Sequence, residues 1–406
     1  MMAARGDHPP VRCSRKLVLV GAGHAHAQVL LTLIEQPVAG LEIVLVSPCS
    51  KAPYSGMVPA WLAGEYDWEA CCIDFNSLCQ RAGARLVMQN VTGIDLHGKQ
   101  ALLENGVRVG YDWLSINIGS TLHLPFTESS TGDIAQIVPM RPLTALCAHW
   151  QDVIDTVTRL LPGDRCRVLI VGGGAAGIES ILSAHYRLNQ LSPGIDFQFT
   201  LATQGQVLVP GLSARAGRIL RVALRHRDIA VRTGFLAHRI DAGAVISKDG
   251  ESIPADVILW ATGAQAFSWP RESGLAADER GFIRIDAMLR SVSHPEVFAA
   301  GDCAAWNKPL PKAGVYAVRM APVLAQNLRA VIEGNALQLY RPQRRYLVLV
   351  GTGDPNAVAS WGRLGWQGAW VHAWKKKIDR RFLARYNATA VDADHTIIPI
   401  DKEGNS

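Results

Sequence analysis

The chain has 406 residues, of which 49% are hydrophobic and 19% charged, and a formal net charge of +6. That apolar content excludes intrinsic disorder for nearly all of it and predicts two or three domains of ordinary size. With 41 Lys plus Arg against 35 Asp plus Glu, the positive excess is mild and gives no argument for nucleic acid.

Eight cysteines, at 13, 49, 71, 72, 79, 147, 166 and 303, form no CxxC pair and no zinc-ligand spacing. This predicts reduced thiols rather than a disulfide scaffold, and no metal site. The N-terminal MMAARGDHPPVRCSRK is basic but lacks the apolar core of a secretory signal, and no run of about 20 uncharged apolar residues occurs. The expectation is a cytoplasmic chain, or one resting on the inner face of the cell membrane.

The first periodic segment is Leu17-Val18-Leu19-Val20, a buried-strand run. Gly21-Ala22-Gly23-His24-Ala25-His26 follows, then a helical pattern through Val29, Leu30, Leu33 and Ile34, then a second strand, Ile43-Val44-Leu45-Val46. Strand, glycine turn, helix and strand within about 30 residues is the unit that binds an ADP moiety. Gly21 makes the tight turn, and Gly23 lets the backbone approach a pyrophosphate at the helix N-terminus. Two positions depart from the pattern. His26 stands where a small third residue normally lets the helix pack close, and Ser47 stands where an acid would bind the ribose. Loss of such a charge-assisted bond, worth about 1.5–3 kcal/mol, weakens a ligand roughly tenfold to a hundredfold unless other contacts offset it.

A second unit begins 151 residues later. Val168-Leu169-Ile170-Val171 leads into Gly172-Gly173-Gly174-Ala175-Ala176-Gly177-Ile178-Glu179, a full GxGxxG match at Gly172, Gly174 and Gly177 that opens another apolar helix. Its second strand, Phe197 to Leu201, ends in Ala202-Thr203-Gln204, again without the acid that reads an NAD ribose and without a nearby Arg for a 2′-phosphate. The spacing suits one dinucleotide-binding domain inserted in another.

Three more pieces follow in a fixed order. Tyr111-Asp112-Trp113-Leu114 through Gly119-Ser120 comes after the first unit, and Asp256-Val257-Ile258-Leu259-Trp260-Ala261-Thr262-Gly263 after the second. Then Val297-Phe298-Ala299-Ala300-Gly301-Asp302 precedes a helical run from Gly314 to Val331. The tail reads as a strand, Arg344 to Gly351, its hairpin partner, Ala357 to Trp361, and a helix beginning near Trp366. Trp370, Trp374, Ile378 and Phe382 recur every four residues, and Lys375, Lys376, Lys377, Arg380, Arg381 and Arg385 supply most of the net charge. A basic amphipathic helix with tryptophans over residues 366–386 suits an anionic lipid interface, a twin subunit in a homodimer, or the protein's own core.

The five motifs in this order resemble the FAD-dependent pyridine nucleotide–disulfide oxidoreductase superfamily over roughly residues 16 to 340. The implied fold is α/β: two dinucleotide-binding, Rossmann-like domains, one inserted in the other, plus a C-terminal α+β tail. The implied partition is 1–140 and 281–340 for the FAD-binding domain, 141–280 for an NAD(P)-binding-like domain and 341–406 for the C-terminal domain. By the same resemblance Gly21, Gly23, His24, Ser47, Gly119, Gly301 and Asp302 are FAD-binding candidates, and Ala313, Gly314 and Val315 open a helix aimed at the flavin. Gly172, Gly174 and Gly177 are the candidates for NAD(P)H. Lys312 is either a cation beside the flavin or a surface lysine, and Glu179 either faces the nicotinamide pocket or simply pairs with the helix dipole. The imidazole of His24 either bonds the cofactor or fills a gap, and Tyr54 and Arg319 are weaker candidates.

The stretches "GAGHAH", "PYSGMVPAWLAGEY" and "KAGVYAVRMAPVLAQNL" resemble the type II NADH dehydrogenase-like proteins that occur fused to selenide, water dikinase, although no kinase-like domain precedes Ser406. Only Cys49 stands where disulfide reductases carry a CxxxxC pair, so disulfide reduction by that route is not expected. The resemblance implies transfer of a hydride from NAD(P)H through FAD to a quinone or other small acceptor. Two alternatives stay open: oxidation of a sulfur or selenium compound, as the related sulfide:quinone oxidoreductases suggest, with Cys147, Cys166 and Cys303 as the thiols to consider, and a non-catalytic FAD-binding module.

Overall fold

The computed structural model describes residues 15–122, 124–125, 135–241 and 243–387; the basic N-terminal segment with Cys13 and the stretch beyond 387 lie outside the described residues. Two five-stranded parallel sheets organise the chain. In the first, the order is Val297–Ala299, Trp113–Ile116, Arg15–Val20, Leu41–Val46 and Arg85–Val87. Its central strand buries Leu17 to Val20 almost completely, because helices cover both faces and every side chain must be apolar. The helix His24–Glu35 packs along Gly314–Glu333, so the late segment of the chain returns to the first sheet.

The second sheet runs Gln136–Pro139, Val257–Trp260, Arg165–Val171, Asp196–Thr203 and Ala230–Thr233, again all parallel. The helix Ala175–Leu191 follows its glycine turn. Both expected strand–turn–helix–strand units are therefore present, and each glycine turn lies at the C-terminal end of a central strand. That is where an open α/β sheet gathers ligands.

The tail differs from its expected form. It is a three-stranded antiparallel sheet, Val348–Thr352, Asp354–Trp361 and Leu364–Gly368, followed by the helix Ala369–Asn387. Residues 366–368 thus belong to a strand, and the helix begins three residues later than its tryptophan pattern suggests. One face of this sheet, through Val350 and Val358, joins the core of the second domain. The other, through Ala357 and Ala359, packs on Val371 of the helix.

The expected four-residue stripe on that helix does not hold together. Trp370, Trp374 and Ile378 are exposed, while Phe382 stacks on Tyr54 with ring centroids 4.2 Å apart. A step of four residues overshoots a turn by about 40°, so three steps carry a side chain about a third of the way round the helix. Lys375 is not part of a solvated basic face either. It is 8% exposed and lies with Val371, Asp379, Leu383 and Tyr386 on the buried side.

Candidate cofactor cleft

A cleft of about 1620 Å³ runs between the two parallel sheets and is lined by both glycine turns. This exceeds the roughly 300–1,000 Å³ of a pocket for one small ligand and leaves room for two dinucleotides. Along the first turn, Gly21, Ala22, Gly23, His24 and Ser47 line the wall; along the second, Gly172, Gly173, Gly174 and Glu179. Gly177, Gly301 and Val315 lie behind it and shape the backbone instead.

Asn117 fixes the first turn. Its Oδ1 accepts from the N–H groups of Ala25 (3.0 Å) and His26 (3.4 Å), and its Nδ2 donates to the Ala300 carbonyl at 2.7 Å. One side chain so ties the glycine turn to the segment that carries Asp302. A Cβ on Gly23 would come within 2.1 Å of Asn117 Oδ1, so this close approach requires glycine.

His26 explains how a wide residue occupies the third position of the turn. It is fully buried, with Nδ1 2.6 Å from the Gly21 carbonyl and Nε2 2.9 Å from Ser115 Oγ. Burial lowers its pKa to about 4, so the ring is neutral. A carbonyl only accepts, hence Nδ1 carries the proton and Nε2 accepts from the serine hydroxyl. His24 is different. Its Nε2 is buried without a hydrogen-bond partner while the residue lines the cleft, and burial, partly opposed by Asp302, lowers its pKa to about 4. An unpartnered buried imidazole nitrogen at this wall fits a ligand that would complete it.

Opposite the first turn, Asp302 pairs with Arg141 and accepts from Ser120 Oγ at 3.3 Å. Arg141 also reaches Ser120 Oγ at 2.6 Å and the Lys312 carbonyl at 3.2 Å, so it links the entry to the second domain with both cofactor-side segments. Lys312 is no surface lysine: its Nζ donates to the Ala304 carbonyl at 2.7 Å, lies 3.7 Å from the Phe282 ring centroid, and is held below its usual pKa by burial. Ala313 and Gly314 open the Gly314–Glu333 helix directly onto the cleft. Gly119 and Gly174 present open space to it, with nothing within 4 Å of where a Cβ would stand.

Glu179 lines the cleft from the second domain but does not act as a plain dipole partner. Its Oε1 accepts from the Gly351 N–H at 2.7 Å and lies 3.9 Å from Lys375 Nζ. Burial pushes its carboxyl up to about 7 against the opposing pull of Lys375 and Gly351. Lys375 Nζ donates to Asp379 at 2.9 Å and to the Gly56 carbonyl, and Asp379 in turn accepts from the Tyr54 hydroxyl. A buried polar string therefore runs from Tyr54, beside His24, to Glu179 in the second domain.

The cysteines do not gather at the cleft. Cys303 is buried with Sγ 3.3 Å from the Ala300 carbonyl, and burial pushes its thiol up to about 11. Burial likewise raises Cys166 to about 11 and raises Cys147. Among the described residues only Cys49 lines the cleft, and its thiol is also raised by burial.

Sequence reasoning did not single out Arg141 or Asn117, and it set Phe382 on the tail's stripe rather than against Tyr54. Asn117 sits inside the recognised "YDWLSINIGS" stretch, whereas nothing in the sequence connects Arg141 to Asp302 across 161 residues.

A chain with two dinucleotide turns opening on one cleft belongs to the α/β flavoprotein class in its architecture. Residues 15–322 match the pyridine nucleotide-disulphide oxidoreductase family, and the chain belongs to that family. It is similar to a NADH dehydrogenase-like protein of Mycobacterium tuberculosis, 26% identical over 59% of this chain and 60% of the relative. It is also similar to the type II NADH:quinone oxidoreductase of Haemophilus influenzae, 28% identical over 45% of this chain and 44% of that protein. The aligned stretch thus spans less than two thirds of these relatives. In fold it is similar to the sulfide:quinone oxidoreductase from Aquifex aeolicus, with a TM-score of 0.75 and 16% identity, covering 92% of this chain and 91% of that one.

Proposed function

We propose that the chain is a FAD-dependent oxidoreductase that takes a hydride from NAD(P)H and passes electrons to a quinone or another small acceptor. The carrying observation is the pair of phosphate-binding turns facing a single cleft, one on each sheet. FAD bound along the first turn supplies the hydride acceptance and electron release that no side chain can.

The chain's own residues divide the work. Gly21 and Gly23 would let the backbone N–H groups of the His24–Glu35 helix face the pyrophosphate, and the unpartnered His24 Nε2 would complete its bonding to the cofactor. Asp302, oriented by Arg141, would hold the ribityl or pyrophosphate region of the cofactor. The helix N-terminus at Ala313, Gly314 and Val315, with the Lys312 ammonium, places positive potential where reduction adds negative charge. Gly172 and Gly174 would receive the donor's pyrophosphate, Gly177 lets the helix pack close behind them, and Glu179 lines the same wall. The placing of the thiols gives the sulfur and selenium alternative no support, because among the described residues Cys147, Cys166 and Cys303 stand away from the cleft and only Cys49 lines it. Purified protein should be yellow and release FAD on denaturation; a colourless protein that cannot be reconstituted with FAD contradicts the proposal.

The tail's exposed face carries a peripheral contact with an anionic membrane. Trp370 is 58% exposed, Trp374 and Ile378 follow it along the exposed side of the helix, and Lys377 and Arg381 also lie in solvent. The rings of Trp366, Trp370 and Trp374 form a near-parallel series with 6.4 Å between neighbours. No helix among the described residues is long and apolar enough to cross a membrane. A Trp370→Ala/Trp374→Ala double variant should lose flotation with phosphatidylserine-containing vesicles; unchanged flotation removes the lipid contact, and a change from dimer to monomer instead reassigns the face to a second copy.

A further inference from the structure

We propose that Glu104 is the carboxylate that binds the adenosine ribose at the first dinucleotide turn, in the role left vacant by Ser47; the assignment rests on the FAD reading above. Ser47 itself is poorly placed for that role. It is buried, its Oγ donates to the Cys49 carbonyl at 2.8 Å, and the same oxygen accepts from the Cys49 N–H at 3.3 Å. Its hydroxyl is spent on its own loop.

Among the described residues, the cleft is lined by three acids: Glu104, Glu179 and Asp302. Asp302 is held by Arg141 on the far side of the turn, and Glu179 belongs to the second domain and to Lys375. Glu104 is the one that shares a wall with Ser47. The Gln89 N–H donates to the Ser47 carbonyl at 3.2 Å, and the next residue, Asn90, grips Glu104 twice. The Glu104 N–H donates to the Asn90 carbonyl at 3.0 Å, and Asn90 Nδ2 donates to Glu104 Oε2 at 2.9 Å.

These bonds lock the carboxylate through Asn90 and Gln89 to the end of the second strand, although it comes from the hairpin after Gln100–Leu103. Ser47, Cys49, Gln89, Asn90 and Glu104 all face the cleft. Glu104 makes no ion pair among the described residues, and Asn90 engages only one of its two oxygens. A carboxylate oxygen left free in this way accepts from ribose hydroxyls, which is the chemistry the family pattern assigns to an acid at the strand end. The acid is thus supplied from a different element, 57 residues further along the chain.

The test is the rate of FAD release from the purified holoprotein on dilution, followed by flavin fluorescence. Glu104→Gln keeps size and the bond to Asn90 and should accelerate release about tenfold to a hundredfold. Adding Ser47→Glu to that variant should slow release again. With a FAD analogue lacking the adenosine 2′-hydroxyl, wild type and Glu104→Gln should release at similar rates. Wild-type release of FAD from Glu104→Gln overturns the assignment, as does equal acceleration for FAD and the deoxy analogue, which would mark Glu104 as a brace for its hairpin. Either result leaves the FAD reading standing; a wild-type protein that holds no flavin overturns both.

Discussion

Replacing Lys375 with Met is expected to lower the unfolding free energy by about 3–5 kcal/mol, the cost of stripping one partner from a buried ion cluster. Lys375 is 8% exposed and donates to Asp379 at 2.9 Å, with Glu179 3.9 Å away. Its ammonium stays charged because the two carboxylates outweigh the effect of burial. Met fills the space of the stem but leaves two acids in a dry site with only Gly351 and Tyr54 to satisfy them. The cluster ties the C-terminal helix to the second domain, so the loss should appear as early release of that helix. Lys377→Met is the control, since Lys377 is in solvent and its loss should change stability by less than about 0.5 kcal/mol. Urea unfolding at pH 8 decides it: equal midpoints for the two variants contradict the structural role given to Lys375.

Gly177→Ala is expected to disable the second turn while sparing the first. A Cβ there would sit 1.9 Å from the Gly172 carbonyl oxygen, a backbone atom that cannot swing aside, and 3.6 Å from Ala261 Cβ. The helix Ala175–Leu191 must therefore move away from its strand, carrying with it the N–H groups that would face a donor pyrophosphate. Misplacement by about 1 Å costs on the order of a hundredfold in a hydride step. Bound flavin should be retained, since the first turn belongs to the other sheet. Stopped-flow reduction by NADH would show about a hundredfold slower bleaching at unchanged flavin content. An unchanged rate would mean the second turn does not bind the donor, and loss of flavin in proportion would mean the two halves are not separable.

Both phosphate turns could be read from the sequence because their chemistry is local: a buried strand, glycines at fixed offsets and an amphipathic helix lie within about 30 residues. The anomalies in those turns could be seen but not explained. His26 makes sense only with Ser115, which reaches it from a strand 89 residues away. Arg141 is hidden for a similar reason, since its partner Asp302 stands 161 residues further along the chain.

The tail misled more. Trp370, Trp374, Ile378 and Phe382 at four-residue intervals read as one apolar stripe beside a basic face, yet the structure turns Lys375 and Asp379 inward and leaves Trp370 and Trp374 outside. Charge and hydrophobicity are weak guides where an ion cluster is buried, because its partner Glu179 comes from the second domain. The same dependence on distant partners separates Ser47, whose missing acid was plain in the sequence, from Glu104, whose position became visible only through Asn90.

The central claim is that one cleft joins a donor turn to a cofactor turn. It is tested most directly by mixing the purified yellow protein anaerobically, in separate experiments, with NADH, NADPH, sulfide and selenide while following flavin absorbance. The account predicts fast bleaching by a reduced nicotinamide and none by sulfide or selenide. Bleaching by sulfide or selenide alone would contradict it, leaving the second glycine turn without a donor to bind.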